Sequence, residues 1–144
     1  MDNYRILLAG RNRSLIDHFF IQLDDDFDCM TTSTRPEDIL NHIDTIRFDA
    51  FIYCIQKEDR EDYPMMMGYK EKLAARGVTF IVAGHKDECD HFSDVTGHMA
   101  VYSYAIPIPM SDVMSTVREA SDRHRAKMID IESRISGANG GDYI

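Results

Sequence analysis

The chain has 144 residues, which fits one compact domain with a sizeable hydrophobic core. Its 16 lysines and arginines against 25 aspartates and glutamates give a formal net charge of −9. This acidity argues against binding to nucleic acid or to an anionic membrane surface, because both need clustered cationic side chains. Hydrophobic residues make up 44% of the chain, which excludes wholesale disorder.

The three cysteines, Cys29, Cys54 and Cys89, are widely spaced and odd in number. This pattern argues against a disulfide framework and favours a reducing compartment. The apolar run near the N-terminus, residues 6–10, is shorter than the core of a signal peptide. No stretch has the length of a membrane span. We therefore expect a cytoplasmic protein.

Short apolar runs alternate with amphipathic segments along the chain. The apolar runs predict five strands, at residues 4–9, 27–33, 48–55, 78–83 and 100–106. The second is more polar, as expected of an edge strand. Apolar residues at helical spacing predict five helices, within residues 14–23, 34–46, 65–76, 87–97 and 111–135. Thr34 is expected to cap the second helix, and residues 56–63, QKEDREDY, are expected to form an exposed loop.

The alternation of strands and helices predicts a flavodoxin-like, doubly wound α/β fold with a five-stranded parallel sheet, (βα)5. Along the third strand, Phe51 and Tyr53 are expected on one face of the sheet and Ile52 and Cys54 on the other. Ligands of such sheets bind beyond the carboxyl ends of the strands. We expect a domain over residues 1–126, an extension of the last helix over 127–136 and a flexible tail over 137–144.

Five local segments, in order, are similar to the receiver domain of two-component response regulators. They are RILLAGR at the first strand, FDAFIYC at the third, PMMMG after it, VTFIVAGHKDE at the fourth and AIPIP after the fifth. The resemblance covers about residues 4–125. It implies a signalling domain in which two acidic residues and an acceptor aspartate hold Mg²⁺. A threonine or serine then binds the phosphoryl oxygen, and a lysine pairs with the aspartyl phosphate.

The chain departs from this pattern at each of these positions. The acidic pair falls on Gly10 and Arg11, the acceptor aspartate on Cys54, the threonine on Ala83 and the lysine on Ile106. Arg11 brings a fixed cation to the metal position, which opposes Mg²⁺ binding. We therefore expect a degenerate pseudo-receiver with no catalytic residue, no metal and no cofactor, which is not an enzyme.

The segment after the third strand also departs from the family pattern. Pro64 follows Cys54 by ten positions, which makes this segment about six residues longer than the family's. The added residues are rich in charge and include Asp59 and Asp62. We expect these two side chains to be exposed beside the inactive pocket.

The family's switch aromatic on the fifth strand falls on Ser103, with Tyr102 and Tyr104 on either side. The last helix carries an apolar stripe that continues beyond the length needed to cover the sheet. This stripe predicts a partner or dimer surface formed by Val117, His124, Met128, Ile131 and Ile135. The alternative is that the helix folds back on the same chain. Together these features predict an atypical signal-transduction module. It would form a homodimer and contact a signalling or regulator protein independently of phosphorylation.

Other functions on the same fold stay open at this point. Cys54 beside Arg11 would be a reactive thiol, because a nearby cation lowers a thiol pKa. Residues 85–91, HKDECDH, hold several potential metal ligands, although a structural zinc site needs four ligands in paired spacing. These patterns allow a thiol- or metal-based sensor. A flavodoxin-like small-ligand binder is the third alternative, although AGRNRS has a single glycine where phosphate loops need several.

Overall fold

A computed structural model describes residues 4–100, 102–119 and 122 of the chain. The strands are β1 (Arg5–Gly10), β2 (Asp28–Thr31), β3 (Ala50–Cys54), β4 (Thr79–Gly84) and β5 (Tyr102–Ala105). The helices are α1 (Arg13–Leu23), α2 (Pro36–Thr45), a 3₁₀ helix (Lys57–Asp62), α3 (Tyr63–Met66), α4 (Tyr69–Ala75), α5 (Lys86–Thr96) and α6 (residues 110–119). Within these ranges, none of the helices combines the length and apolarity that crossing a bilayer requires.

The strands form one parallel sheet in the order β2-β1-β3-β4-β5. This order has β3 at the centre and β2 and β5 at the edges. Helical connections return the chain to the start of each next strand, as parallel pairing requires. The predicted flavodoxin-like five-stranded parallel sheet is therefore confirmed, as is the position of the second strand at an edge.

The hydrophobic core lies on both faces of the sheet. Phe51 and Tyr53 pack in a cluster with residues of α2, α3, α4 and α5. Ile52 and Cys54 pack in a second cluster with α1 and α6. All four side chains are at most 1% exposed. The alternation predicted for the third strand is confirmed.

Two predicted segments differ from the structure in their local form. The helix expected over residues 65–76 is divided into α3 and α4, because turns with i+3 bonding interrupt it at Met67 and Gly68. The expected loop at 56–63 is mostly a 3₁₀ helix, which begins with a reciprocal cap between Gln56 and Asp59. The residue at the N-terminal cap of α2 is Arg35, not Thr34, and its side chain makes no capping hydrogen bond.

The start of the last helix packs against the sheet. Val113 and Val117 in α6 are both fully buried in the cluster that contains Ile52. The prediction that Val117 contributes to a partner surface is therefore wrong, because this part of the apolar stripe covers the domain's own core. The other residues predicted for that surface lie outside the described part of the chain; they are His124, Met128, Ile131 and Ile135. The predicted helix extension over 127–136 and the tail over 137–144 also lie outside it.

Candidate functional site

The carboxyl edge of the sheet brings the predicted pocket residues together. Gly10 lies opposite Cys54 in the β1–β3 pairing, and Cys54 lies opposite Ala83 in the β3–β4 pairing. Arg11 follows β1 directly. The Ile106 N–H donates to the carbonyl of Gly84 at 2.8 Å, which ties the end of β5 to the same edge. The five positions predicted to form one pocket therefore lie side by side, at or next to the carboxyl ends of β1, β3, β4 and β5.

The backbone fills much of the space between β1 and β3. Gly10 has φ +136°, and a Cβ built on it would lie 2.2 Å from the Cys54 carbonyl oxygen. A Cβ at Gly84 would lie 2.7 Å from the carbonyl oxygen of Ile55. A side chain at position 10, a carboxylate included, therefore requires the backbone to move.

The Arg11 guanidinium is held by the 3₁₀ helix. Its Nη2 lies 3.0 Å from an Asp62 carboxylate oxygen, and its Nε lies 3.7 Å from Asp59 Oδ1. Its Nη1 donates to the carbonyl oxygen of Glu58. The positive charge of Arg11 thus has its counter-ions within the same chain.

Asp59 is the principal correction to the sequence interpretation. It was expected to be exposed, but it is fully buried. Its Oδ2 accepts from the Gln56 N–H at 2.8 Å, whereas its Oδ1 has no hydrogen-bond partner in the described part of the chain. Burial raises the pKa of Asp59 to about 6, although the Gln56 N–H, Arg11 and Tyr53 favour the charged form. The spacing of Gln56 and Asp59, three residues apart at a helix start, is the sequence signal that could have revealed this carboxylate.

The other side of the 3₁₀ helix is bound to α5. The Arg60 guanidinium makes a forked contact with the Glu88 carboxylate, with Nη2 at 2.8 Å and Nε at 3.1 Å. The Tyr63 hydroxyl donates to the same carboxylate at 2.5 Å. Glu88 is only 6% exposed, and its pKa is lowered chiefly by the hydrogen bonds from Arg60. We call the 3₁₀ helix, with Arg11 and Glu88, the edge clamp.

The predicted switch residues lie on β5, with their side chains alternating between the faces of the sheet. Tyr102 and Tyr104 stack with ring centroids 6.5 Å apart and pack on the α1–α6 side. The Tyr104 hydroxyl donates to Thr116 Oγ1 at 2.5 Å, which links β5 to α6. Ser103, at the position of the family's aromatic, is exposed. The aromatic side chains of this strand therefore fasten the last described helix to the sheet.

Cys54 is not arranged as a reactive thiol. Its side chain is fully buried, and this burial raises its pKa. Arg11 does not offset the effect, since its guanidinium pairs with Asp59 and Asp62 instead. Burial also raises the pKa of Cys29 to about 12 and that of Cys89 to about 11. All three thiols are therefore held in the protonated, unreactive form at neutral pH.

The potential ligands of residues 85–91 do not converge on one point. Glu88 and Cys89 are buried against the domain, whereas Asp87 and Asp90 are exposed. Lys86 pairs with Asp90 at 2.7 Å. Among the described residues, no group of three histidine, cysteine or acidic side chains is placed to hold a metal ion.

The sequence resemblance to receiver domains implies Mg²⁺ at the carboxyl edge, and the residues present do not fit this ion. Mg²⁺ takes carboxylate oxygens, but the matching positions are Gly10, Arg11 and Cys54. An open groove of about 460 Å³ lies next to them, between the start of α1 and the chain after β5. Its lining contains no carboxylate and consists of Asn12, Ser14, Leu15, His18, Ile106, Pro107 and Ile108.

Comparisons with known proteins give structural relatives only. No protein-family profile matches the sequence, and no curated protein matches it significantly. The receiver domain protein (CheY-like) from Methanospirillum hungatei JF-1 has a TM-score of 0.64 at 18% identity, covering 88% of this chain and 99% of that one. The signal receiver domain of an HD domain-containing protein from Pseudomonas fluorescens Pf-5 has a TM-score of 0.69 at 9% identity, covering 89% and 93%.

An adenylate cyclase structure from Rhodopirellula baltica is similar over the same region. Its TM-score is 0.67 at 19% identity, covering 91% of this chain and 96% of that one. Identities this low establish the fold and leave the chemistry to be argued from the site. The chain therefore has the flavodoxin-like fold of response regulator receiver domains.

Proposed function

We propose that this chain is an atypical receiver-like signal-transduction module that acts by protein–protein contact without phosphorylation. The fold supports the signalling part of this proposal. The observation that carries the second part is the Arg11 guanidinium, paired with Asp62 at 3.0 Å and lying 3.7 Å from Asp59 at the carboxyl edge. A guanidinium is always charged, so this cation stays in the position that a receiver gives to its metal.

Electrostatics and access both argue against phosphoryl transfer at this edge. A divalent cation near Arg11 would be repelled, and the Asp62 carboxylate already pairs with Arg11. Asp59 is fully buried and therefore inaccessible to a phosphodonor. The position of the family's charge-pairing lysine holds Ile106, an apolar residue that is 38% exposed.

We propose no enzymatic activity for the chain. The strand-end residues Gly10, Cys54, Ala83 and Ile106 offer no general base and no ionised nucleophile. The likeness to the adenylate cyclase from Rhodopirellula baltica does not change this proposal, because one fold supports many unrelated chemistries. Buried cysteines with raised pKa values likewise argue against a thiol sensor.

We propose a signalling or regulator protein as the partner, in the cytoplasm. Three free cysteines support a reducing compartment. The net charge of −9 supports a protein partner in preference to nucleic acid or an anionic membrane.

We also propose that the chain forms a homodimer through the end of the last helix. The apolar stripe His124, Met128, Ile131 and Ile135 supports it. Sedimentation equilibrium of the full chain tests the proposal. We expect a dimer that Ile131→Asp converts to a monomer and that Ser133→Asp, off the stripe, leaves intact. A monomeric wild type at high concentration would refute the dimer.

Mg²⁺ titration of the full chain, followed by amide NMR, tests the proposed loss of the metal site. We expect no saturable shift at Arg11 or Cys54 in the wild-type chain at millimolar Mg²⁺. A double variant, Arg11→Asp with Cys54→Asp, returns two carboxylates to the edge and serves as the comparison. Saturable, Mg²⁺-specific shifts at the edge of the wild-type chain would contradict the proposal.

A further inference from the structure

The 3₁₀ helix is held by two ion pairs with very different surroundings. On one side, Asp59 is fully buried beside Arg11. On the other side, Arg60 and Tyr63 donate to both oxygens of the Glu88 carboxylate. The Glu88 charge is thus well satisfied by hydrogen bonds, whereas the Asp59 charge is not. A change in proton concentration will therefore act on the two sides differently.

We propose that the edge clamp is a proton-operated latch. In its closed form, the ionised Asp59 carboxylate attracts Arg11 and adds to the Asp62 and Glu58 contacts that tie the segment after β3 to the segment after β1. In its open form, a proton taken from solvent forms an O–H bond on the Asp59 carboxylate and removes this attraction. The step is a reversible acid–base reaction that requires no other reactant.

The position of the Asp59 carboxylate supports this assignment. Its Oδ1 is buried without a hydrogen-bond partner in the described ranges, and the closest cationic nitrogen recorded for it, Arg11 Nε, is 3.7 Å away. At that distance the ion pair lacks the direct hydrogen bond that stabilises shorter pairs. A buried carboxylate with one unsatisfied oxygen favours its neutral form. The pKa of Asp59, raised by this burial to about 6, agrees with that geometry.

The groups that face Asp59 from other elements do not titrate in the same range. Tyr53 and Cys54 on β3 and Tyr63 on α3 all have pKa values raised mainly by burial, so they stay neutral. Arg11 stays charged. Within the 3₁₀ helix, Asp62 is the facing charge, and its negative charge also favours protonation of Asp59.

The open latch is a local change. Arg11 keeps its contacts with Asp62 and with the carbonyl of Glu58 when Asp59 is neutral. The Glu88 side remains ionised, because the hydrogen bonds from Arg60 and Tyr63 lower the pKa of Glu88. Protonation therefore removes one of the three interactions between Arg11 and the 3₁₀ helix and leaves the contact with α5 in place.

NMR of the full chain tests the latch by following two signals across a pH titration. The first is the carboxyl carbon of Asp59, and the second is the Nε–Hε group of Arg11. We expect Asp59 to titrate with a midpoint near its pKa of about 6, and Arg11 to shift with the same midpoint. An Asp59 midpoint in the ordinary aspartate range, or an Arg11 signal that does not follow it, would overturn the proposal.

Matched variants assign the transition. We expect Asp59→Asn to abolish the Arg11 transition and Asp62→Asn, in the same helix and on the same guanidinium, to retain it. His91 packs its ring 6.1 Å from that of Tyr63, so His91→Gln removes the imidazole next to the clamp and should also retain the transition. An Arg11 transition that persists in Asp59→Asn would overturn the proposal. If Asp59→Asn does not fold, the two wild-type midpoints decide the question by themselves.

Discussion

The interior of the sheet and its carboxyl edge are built by different interactions. Every residue of β3 is buried, and its side chains pack in two apolar clusters, one on each face. At the edge, the chain relies on Arg11, Asp59, Arg60 and Glu88, which are charged groups paired within the chain. The apolar packing of the sheet and the ion pairs at its edge are therefore separate sets of contacts, and substitutions can perturb one set without touching the other.

The largest effect is expected in the interior. We predict that Ile52→Ala, at a fully buried position, lowers the free energy of unfolding by about 2–5 kcal/mol. Ile21, on the outer side of α1, is 72% exposed and gives the matched control. Ile21→Ala should change stability by less than about 0.5 kcal/mol. Urea denaturation measures both, and equal costs would contradict the assignment of the core.

The free energy of unfolding should change with pH because of Asp59 at the carboxyl edge, whereas the apolar interior carries no such dependence. The pKa of Asp59 is about 6 in the folded chain against 3.8 for an unperturbed aspartate, so between these values only the folded chain holds the proton. The stability that Asp59 contributes is thus fully present below pH 3.8 and is lost as the pH rises through 6.

We predict that the free energy of unfolding of the wild type, measured relative to that of Asp59→Asn, falls by about 3 kcal/mol from the acid to the neutral limit. This figure is the pKa difference multiplied by about 1.4 kcal/mol for each pKa unit. Urea denaturation over this range measures the difference between the two proteins. A difference that does not change with pH, or that rises with pH, would contradict the burial of an ionisable Asp59.

A backbone substitution tests how closely β1 approaches β3. We predict that Gly10→Ala costs about 2 kcal/mol, because position 10 has φ +136° and the new Cβ meets the Cys54 carbonyl at 2.2 Å. Gly97 also has positive φ, at +64°, but a Cβ there has nothing within 4 Å. Gly97→Ala should cost about 1 kcal/mol from the backbone conformation alone. A larger cost at position 97 would show that β1 and β3 are not in close approach.

The smallest effect is expected at the α5 side of the clamp. We predict that Glu88→Gln lowers the free energy of unfolding by about 1 kcal/mol, because it weakens the charged hydrogen bonds from Arg60 and Tyr63. Asp87→Asn removes an exposed carboxylate in the same first turn of α5 and should cost less. Thermal unfolding of both variants checks this order, and its reversal would argue against the Glu88 network.

The sheet could be predicted from sequence because its signals are local. Alternation along residues 51–54 assigns each side chain of β3 to a face without knowledge of the other strands. Asp59 could not be assigned this way: the run QKEDREDY is typical of a solvated loop, and the counter-ion comes from Arg11, far earlier in the chain. Val117 was misassigned for a related reason. Its helical spacing predicts an apolar stripe but does not show where along α6 the contact with the sheet ends.

Intact-mass spectrometry after treatment with acetyl phosphate and Mg²⁺ tests the central claim most directly. We predict a wild-type mass that does not change, because the resemblance to receiver domains places Arg11 at a metal-binding position and Cys54 at the position of the acceptor aspartate. A known phosphorylatable receiver domain, treated in the same way, is the positive control. A stoichiometric gain of one phosphoryl group on this chain would contradict the account.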